Sequence, residues 1–164
     1  MNKRQAMCDE EQYQKAAERA AAMLARRAMS AAMLERKLLE KEFCPEAVDY
    51  AVERMRILGA INDTAYAEQL LRSCTRKGYG VLRMRQELRQ RGVPQDIIAD
   101  VLEQVEPNWD AMRALLDKKL DGDVSDRREC EKAMAALQRR GFLFSEIREA
   151  MRDYRAELSE RDEE

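Results

Sequence analysis

The chain has 164 residues and a formal net charge of −2, and 45% of its residues are apolar, 38% charged and 5% aromatic. Helix-forming residues dominate, with only six glycines and three prolines between them, so we expect a folded all-α protein rather than a disordered chain. No run approaches the roughly 18 to 20 apolar residues of a membrane span, and no signal-peptide pattern opens the chain, so we expect a cytoplasmic protein without membrane contact.

The sequence offers little material for catalysis. It contains no histidine, which is the commonest general base and a frequent metal ligand. The glycines at 78 and 80 lack the residues that would complete a phosphate-binding loop. The cysteines are spaced too widely for a zinc knuckle or a redox dithiol, and we expect them to be small buried hydrophobes: Cys8, Cys44, Cys74 and Cys130. We therefore predict no catalytic activity, no cofactor and no metal.

Amphipathic helices are predicted along the chain. The first covers residues 13–30 without a helix breaker, and its apolar stripe continues at Leu34 and Leu38. Pro45 suits the first turn of the next helix, which stops near Gly59.

Three further helices follow in the middle of the chain. Residues 62–64 offer an amino-terminal cap for a helix that ends at Gly78. The next helix closes at Gly92, and Pro94 starts another that reaches as far as Pro107.

A repeated pattern divides the chain into three parts. Residues 34–55, 84–105 and 133–154 share apolar residues at five positions, at offsets of 50 and then 49 residues. They also share a break formed by a basic residue, a glycine and then Phe or Val, although Glu42 replaces the first glycine. We predict an elongated, curved array of three tandem three-helix repeats. The expected boundaries are an amino-terminal extension at 1–17, repeats at 18–63, 64–107 and 108–155, and an acidic tail at 156–164. We expect the final SERDEE of this tail, residues 159–164, to be frayed.

Several motifs of the chain occur together in one known family. They are LERKLLEKEF in the first repeat, LGAINDTAYAEQLLRS followed by RKGYGVLRMRQELRQRGV in the second, and LQRRGF followed by SEIREAM in the third. In this order they resemble the RecX family of RecA regulators over about residues 20–155. Glu42 departs from the glycine that the family pattern has at that position.

The resemblance implies a noncatalytic modulator that binds the RecA recombinase filament on single-stranded DNA. It implies inhibition of the ATPase, strand-exchange and coprotease activities of RecA, and hence modulation of DNA repair, recombination and the SOS response. It also implies a curved array that lies in the helical groove of the filament. We further expect a monomer, and a weak direct contact with DNA stays open. Our mechanistic hypothesis is that the basic middle repeat bridges neighbouring filament subunits.

Positive charge is concentrated at residues 72–91, which we call the basic segment. It contains seven basic residues and one acid, Glu87, so its formal charge is +6 and that of the rest of the chain is −8. Spacings of four residues place pairs of arginines on common helix faces, away from the apolar stripe. Such a ridge attracts an acidic surface or phosphates. The residues predicted to bind the RecA filament or DNA are Arg72, Arg76, Lys77, Arg83, Arg85 and Arg89.

A structural reading and two other functions stay open. Cations at a helix carboxyl end complement the helix dipole, which accounts for Lys41, Arg91 and Arg140 without a partner. A direct nucleic-acid-binding protein would use the same basic segment, although the net charge of −2 and the lack of interleaved aromatics argue against it. The second alternative is a general helical-repeat adaptor for an unrelated protein.

Overall fold

The computed structural model describes residues 8–162, which form nine α-helices and no β-strand. The predicted all-α architecture of three-helix repeats is therefore confirmed. Within this range no helix combines the length and the apolar character needed to cross a membrane. The helices are α1 (Glu10–Arg26), α2 (Ala31–Glu40), α3 (Pro45–Ile57), α4 (Asp63–Arg76), α5 (Val81–Gln90), α6 (Gln95–Glu103), α7 (Trp109–Leu120), α8 (Arg127–Arg139) and α9 (Phe144–Asp162).

The chain forms two compact units, and the middle repeat contributes to both. The first unit contains the described residues up to 69 together with 88–99. The second contains residues 70–87 and the described residues from 100 onwards. The predicted repeat boundaries stay a prediction.

The core of the first unit lies among α1, α2 and α3. Ala16 and Ala20 are fully buried on α1, which packs mainly against α3. Leu34 and Leu38 of α2 are also fully buried, and Val48 of α3 is 1% exposed. The small alanine side chains of α1 allow it to approach α3 closely.

The core of the second unit lies among α7, α8 and α9. Met112, Leu116 and Leu137 are fully buried, and Phe142 is 1% exposed. Tyr154 is equally buried, and its hydroxyl oxygen accepts a hydrogen bond from the amide of Gly122 at 3.2 Å. This bond satisfies the one polar group that the ring carries into the core.

The apolar register predicted for the repeats is confirmed at most positions. Leu38, Leu88 and Leu137 are all fully buried, as expected for equivalent core positions. Phe43 and Val105 are the exceptions, because both are only partly buried.

The predicted helix at 13–30 is wrong at both ends. It starts earlier, at Glu10, because the Asp9 carboxylate accepts the amide of Gln12 at 2.9 Å. It ends at Arg26, and α2 starts after Ser30, whose hydroxyl oxygen accepts the amide of Met33 at 3.2 Å. Serine at this position caps the second helix, so the alanine-rich stretch is divided in two.

The carboxyl-terminal tail differs from the predicted frayed end. Helix α9 continues to Asp162, so residues 156–162 are helical. The rest of the predicted tail at 163–164, and residues 1–7 of the predicted extension, lie outside the described residues.

The cysteines fulfil the prediction only in part. Cys74 and Cys130 are each 2% exposed, as expected of buried hydrophobes. Cys8 and Cys44 instead form a disulfide bond, with their Cα atoms 5.9 Å apart. The reason is tertiary: Cys8 lies next to the amino-terminal cap of α1, Cys44 caps α3, and these two helices pack together.

The break shared by the repeats is the same turn in each case. The amides of Glu42, Gly92 and Gly141 donate to carbonyls three residues earlier, at 2.9 to 3.0 Å. The φ angles of these residues are +66°, +68° and +88°. Glu42 therefore keeps the turn although it replaces a glycine.

Two of these turns pack against the start of a helix in the preceding repeat. The hydroxyl of Ser30, just before α2, donates to the carbonyl of Arg91. A Cβ atom on Gly92 would lie 2.5 Å from the Cβ atom of Ala32, which is closer than real Cβ contacts. Glycine is required here both by φ and by the space available.

The second contact repeats this arrangement at the start of α5. The amide of Gly80 donates to the carbonyl of Arg140 at 2.9 Å, and the amide of Leu82 to that of Gly141 at 3.0 Å. No equivalent helix start precedes the first repeat among the described residues. A side chain at position 42 is therefore not excluded by such a contact, although the backbone there is left-handed, with a φ of +66°.

Candidate partner-binding surface

The first part of the basic segment lies on the second half of α4 and the turn after it. Asn62 caps this helix by accepting the amide of Ala65 at 3.0 Å. The helix buries one face through Ala67, Leu71 and Cys74. Arg72 and Arg76 lie on the opposite, solvent-facing side of α4, and Lys77 follows in the turn. All three side chains are exposed.

The turn between α4 and α5 is held by the α8–α9 turn. Gly78 has a φ of +71°, and a Cβ atom on Gly80 would lie 2.4 Å from the backbone of Gly141. The guanidinium Nη1 of Arg140 donates to the carbonyl of Lys77 at 2.9 Å. Arg140 thus binds a carbonyl at the end of α4, which agrees with a structural role for this cation. The position of the exposed α4 cations is fixed by this packing.

The arginines of α5 have different environments. Arg83 pairs with Glu87, with 2.9 Å between Nη2 and Oε1, and its guanidinium lies 5.4 Å from the ring centroid of Tyr79. Arg85 is partly buried, and its Nε atom is buried without a hydrogen-bond partner. Arg89 is exposed. Arg83 is thus partly neutralised by its own helix, and its Nε atom, like that of Arg85, is buried without a hydrogen-bond partner among the described residues.

Four of the six predicted residues are exposed and make no ion pair with another described residue: Arg72, Arg76, Lys77 and Arg89. The first three belong to one stretch of chain in the second compact unit, and Arg89 belongs to the first. Arg72, Arg76 and Lys77 therefore form the most accessible cationic surface of the basic segment. Sequence reasoning did not find the contact of Arg140 with this group, because residues 77 and 140 are 63 positions apart.

The concave surface beside the segment is small. Tyr79, Met84, Phe142 and Leu143 line a groove of about 140 Å³, together with the acid Glu146. Drug-sized ligands occupy pockets of roughly 300 to 1,000 Å³, so this groove suits a single side chain at most. The geometry of the segment favours a macromolecular partner over a small ligand.

Comparison with known proteins identifies the family of the chain. Three family models match in succession: RecX, first three-helix domain, at residues 16–55; RecX, second three-helix domain, at 62–102; and RecX, third three-helix domain, at 106–151. The chain is 37% identical to the regulatory protein RecX of Halorhodospira halophila over 130 residues, which cover 78% of this chain and 81% of that protein. It is 34% identical to the regulatory protein RecX of Trichlorobacter lovleyi over 134 residues, covering 77% and 87% of the two chains.

A solved structure agrees in fold. The crystal structure of RecX from Lactobacillus salivarius matches with a TM-score of 0.82 over 89% of this chain and 98% of that chain, at 19% identity. This identity supports the fold alone, whereas the sequence relatives support the family. The chain belongs to the RecX family of regulatory proteins.

Proposed function

We propose that the protein is a noncatalytic, cytoplasmic regulator that binds the RecA filament on single-stranded DNA and inhibits its ATPase, strand-exchange and coprotease activities. The observation that carries this proposal is the match of three successive RecX three-helix domains between residues 16 and 151. Relatives that match most of the chain are named regulatory proteins, which supports regulation rather than catalysis.

The proposed contact with the filament is the basic segment. Its exposed cations on α4 and the turn after it, Arg72, Arg76 and Lys77, have no ion-pair partner among the described residues, so their charge is available to an acidic protein surface or to phosphates.

The α4–α5 turn is held by hydrogen bonds to the α8–α9 turn, which lowers the entropic cost of binding a partner at this surface. The bonds from Gly80 to Arg140 and from Arg140 to Lys77 hold the turn before any partner arrives. A surface that is already ordered loses less conformational entropy on binding. By bridging neighbouring RecA subunits, the protein would stabilise one filament state more than another, which is the requirement for regulation.

The test is the single-stranded-DNA-dependent ATPase of RecA, titrated with the native protein and with an Arg72→Glu, Arg76→Glu variant. Both substituted side chains are exposed, so we expect the fold to be retained, which circular dichroism and the thermal midpoint would check. Reversing two charges should raise the concentration needed for half-inhibition by about tenfold or more. A matched control is Lys118→Glu, Lys119→Glu, which makes the same change of net charge in the last turn of α7.

Each outcome has a distinct meaning. Inhibition by the native protein and the control, but not by the α4 variant, supports both the function and the contact. Equal inhibition by all three keeps the regulator and moves its contact away from α4. No inhibition by the native protein, at concentrations well above that of RecA, contradicts the proposal and favours the adaptor.

Direct DNA binding is the remaining alternative. It predicts that a labelled oligo(dT) strand binds the native protein tightly without RecA, with an affinity that falls steeply as salt is raised. The proposed function predicts weak binding in this measurement.

A further inference from the structure

A second cationic surface lies in the first compact unit, away from the residues chosen from the sequence. It is a groove of about 400 Å³ between the carboxyl-terminal parts of α1 and α2, which we call the α1–α2 groove. One acid, Glu40, accompanies the five cations that line it: Arg19, Arg26, Arg27, Lys37 and Lys41.

The cations of the α1–α2 groove are not compensated by neighbouring acids. None of the five makes an ion pair with another residue of the described range, and Glu40 has its own contact with Arg36 at 3.9 Å. Lys37 and Lys41 are four residues apart, a spacing at which like charges repel. Elsewhere the chain uses this spacing to join opposite charges, as in Glu11 with Lys15 and Arg127 with Glu131.

Helix dipoles explain part of this cluster but not all of it. Arg26 and Lys37 lie in the last turns of α1 and α2, where a cation is favourable. Each helix end carries about half a negative charge, so two ends offset about one of the five cations. Arg19 lies two turns before the end of α1, beyond the reach of this effect. The groove therefore keeps a substantial positive charge.

The floor of the groove is apolar. Met23 is partly buried and Met29 is 8% exposed, and both line the groove beneath the cations. Methionine side chains adapt their shape to an inserted apolar group. No aromatic side chain lines the groove, whereas proteins that bind single-stranded nucleic acid without sequence preference stack bases on aromatic rings. These features fit an acidic peptide with an apolar side chain better than a nucleic acid.

We propose that the α1–α2 groove is a second docking site, which takes an acidic segment of a protein partner and buries an apolar side chain of that segment against Met23 and Met29. The carboxylates of the segment pair with the rim cations. This site is separate in sequence from the basic segment and does not depend on the RecA assignment, because it is tested without RecA.

The experiment measures fluorescence anisotropy of a fluorescein-labelled peptide with leucine at every third position and glutamate elsewhere. The full chain is titrated into this probe at low and at raised salt. We expect saturable binding that weakens as salt screens the charges. A Lys37→Glu, Lys41→Glu variant should bind about tenfold more weakly or worse. The Lys118→Glu, Lys119→Glu protein is the matched control and should bind within about twofold of the native chain.

The apolar floor has its own test. Replacing the leucines of the peptide by serine should weaken binding to the native chain, because the inserted side chain is lost. Unfolding curves of each variant establish that the fold is intact, and an Arg19→Gln variant gives a second, milder removal of rim charge.

Three results would overturn the proposal. One is no saturable binding of the leucine–glutamate peptide by the native chain. Another is equal weakening of peptide binding in the Lys37→Glu, Lys41→Glu variant and in the matched control, which would show that binding depends only on net charge. The third is tighter binding of labelled oligo(dT) than of the peptide at the same salt, with dependence on Lys37 and Lys41, which would make the site a nucleic-acid contact.

Discussion

Gly141 lies so close to the backbone of Arg83 that a Cβ atom built on the glycine would be 2.4 Å from the Arg83 nitrogen. Backbone atoms cannot move aside as a flexible side chain can. The contact joins the α8–α9 turn to the start of α5, and it has a counterpart where Gly92 meets Ala32.

A Gly141→Ala substitution should therefore be strongly destabilising. The alanine would suffer both the strain of a φ of +88° and the overlap with Arg83, at a cost of roughly 2 to 4 kcal/mol in the free energy of unfolding. Urea unfolding followed by circular dichroism measures this loss. Gly59→Ala is the control, because Gly59 has a φ of +71° but nothing within 4 Å of its Cβ position. It should lose only about 1 kcal/mol, and similar losses in both variants would show that the close approach is unimportant.

Ser30→Ala should remove two interactions at once. The hydroxyl caps α2 at the amide of Met33 and donates to the carbonyl of Arg91, in a site where Ser30 is fully buried. Loss of a cap typically costs about 1 kcal/mol, and the unsatisfied carbonyl adds to this, so we expect roughly 2 kcal/mol. Ser159→Ala, on the exposed surface of α9, should change the unfolding free energy by less than about 0.5 kcal/mol. Equal stability of the native and Ser30→Ala proteins would contradict the described contact.

The disulfide between Cys8 and Cys44 can be tested by counting the thiols that iodoacetamide modifies. When protein purified without reductant is unfolded and treated with iodoacetamide, mass spectrometry should find modification at Cys74 and Cys130 only. Prior reduction should expose all four cysteines. Closing a loop of 36 residues stabilises a protein by about 2 to 4 kcal/mol, so the oxidised native chain should also unfold at a higher temperature than Cys8→Ser. Modification of Cys8 and Cys44 without reduction would show that the bond does not form.

Tyr154 should make stability sensitive to alkaline pH. Burial raises the pKa of its phenol above the ordinary value of 10.0, although the hydrogen bond from the Gly122 amide acts in the opposite direction. Because the folded state holds the proton more tightly than the unfolded state, this contribution is complete below pH 10 and is lost as pH rises through the raised pKa.

The measurement compares urea unfolding of the native protein and Tyr154→Phe at neutral and alkaline pH. The variant should be less stable by about 1 kcal/mol at pH 7, because the Gly122 amide loses its acceptor. This difference in unfolding free energy should shrink or reverse above pH 10. At that pH the native fold must hold the Tyr154 phenol in its protonated form, and the variant has no phenol there. A constant difference between native and Tyr154→Phe proteins would contradict the predicted linkage.

The fold could be predicted from the sequence where its determinants are local. Periodic apolar residues identified the equivalent core leucines at 38, 88 and 137, and the Asn62 cap marked the start of α4. The division between α1 and α2 was missed, because an alanine-rich stretch contains no breaker and Ser30 acts through a cap alone. The disulfide was missed because it depends on how α1 packs against α3 rather than on spacing along the chain.

The candidate surfaces were predictable to different degrees. The basic segment stands out because its cations are consecutive and almost free of acids. The pairing of Arg83 with Glu87 follows from a spacing of four residues, but the contact of Arg140 with Lys77 does not follow from any local pattern. The α1–α2 groove could not be predicted from the sequence, because its cations are separated along the chain by acids such as Glu18 and Glu35. Only the folded structure brings these cations together.

The turn-to-helix contact also defines where one more repeat could be added. A helix start receives the following turn when it offers a small residue or an amide that can donate to that turn, as Ala32 and Gly80 do. At the start of α8, the Asp126 carboxylate already accepts the amide of Arg128 at 2.8 Å, and the side chain of Arg127 is 91% exposed. Counted back from Leu38, Leu88 and Leu137, the position equivalent to 30 and 80 is 129, three residues after the cap of α8 at Asp126. A designed fourth repeat would therefore need α8 to start at 129, with serine or glycine there and a small residue at 131.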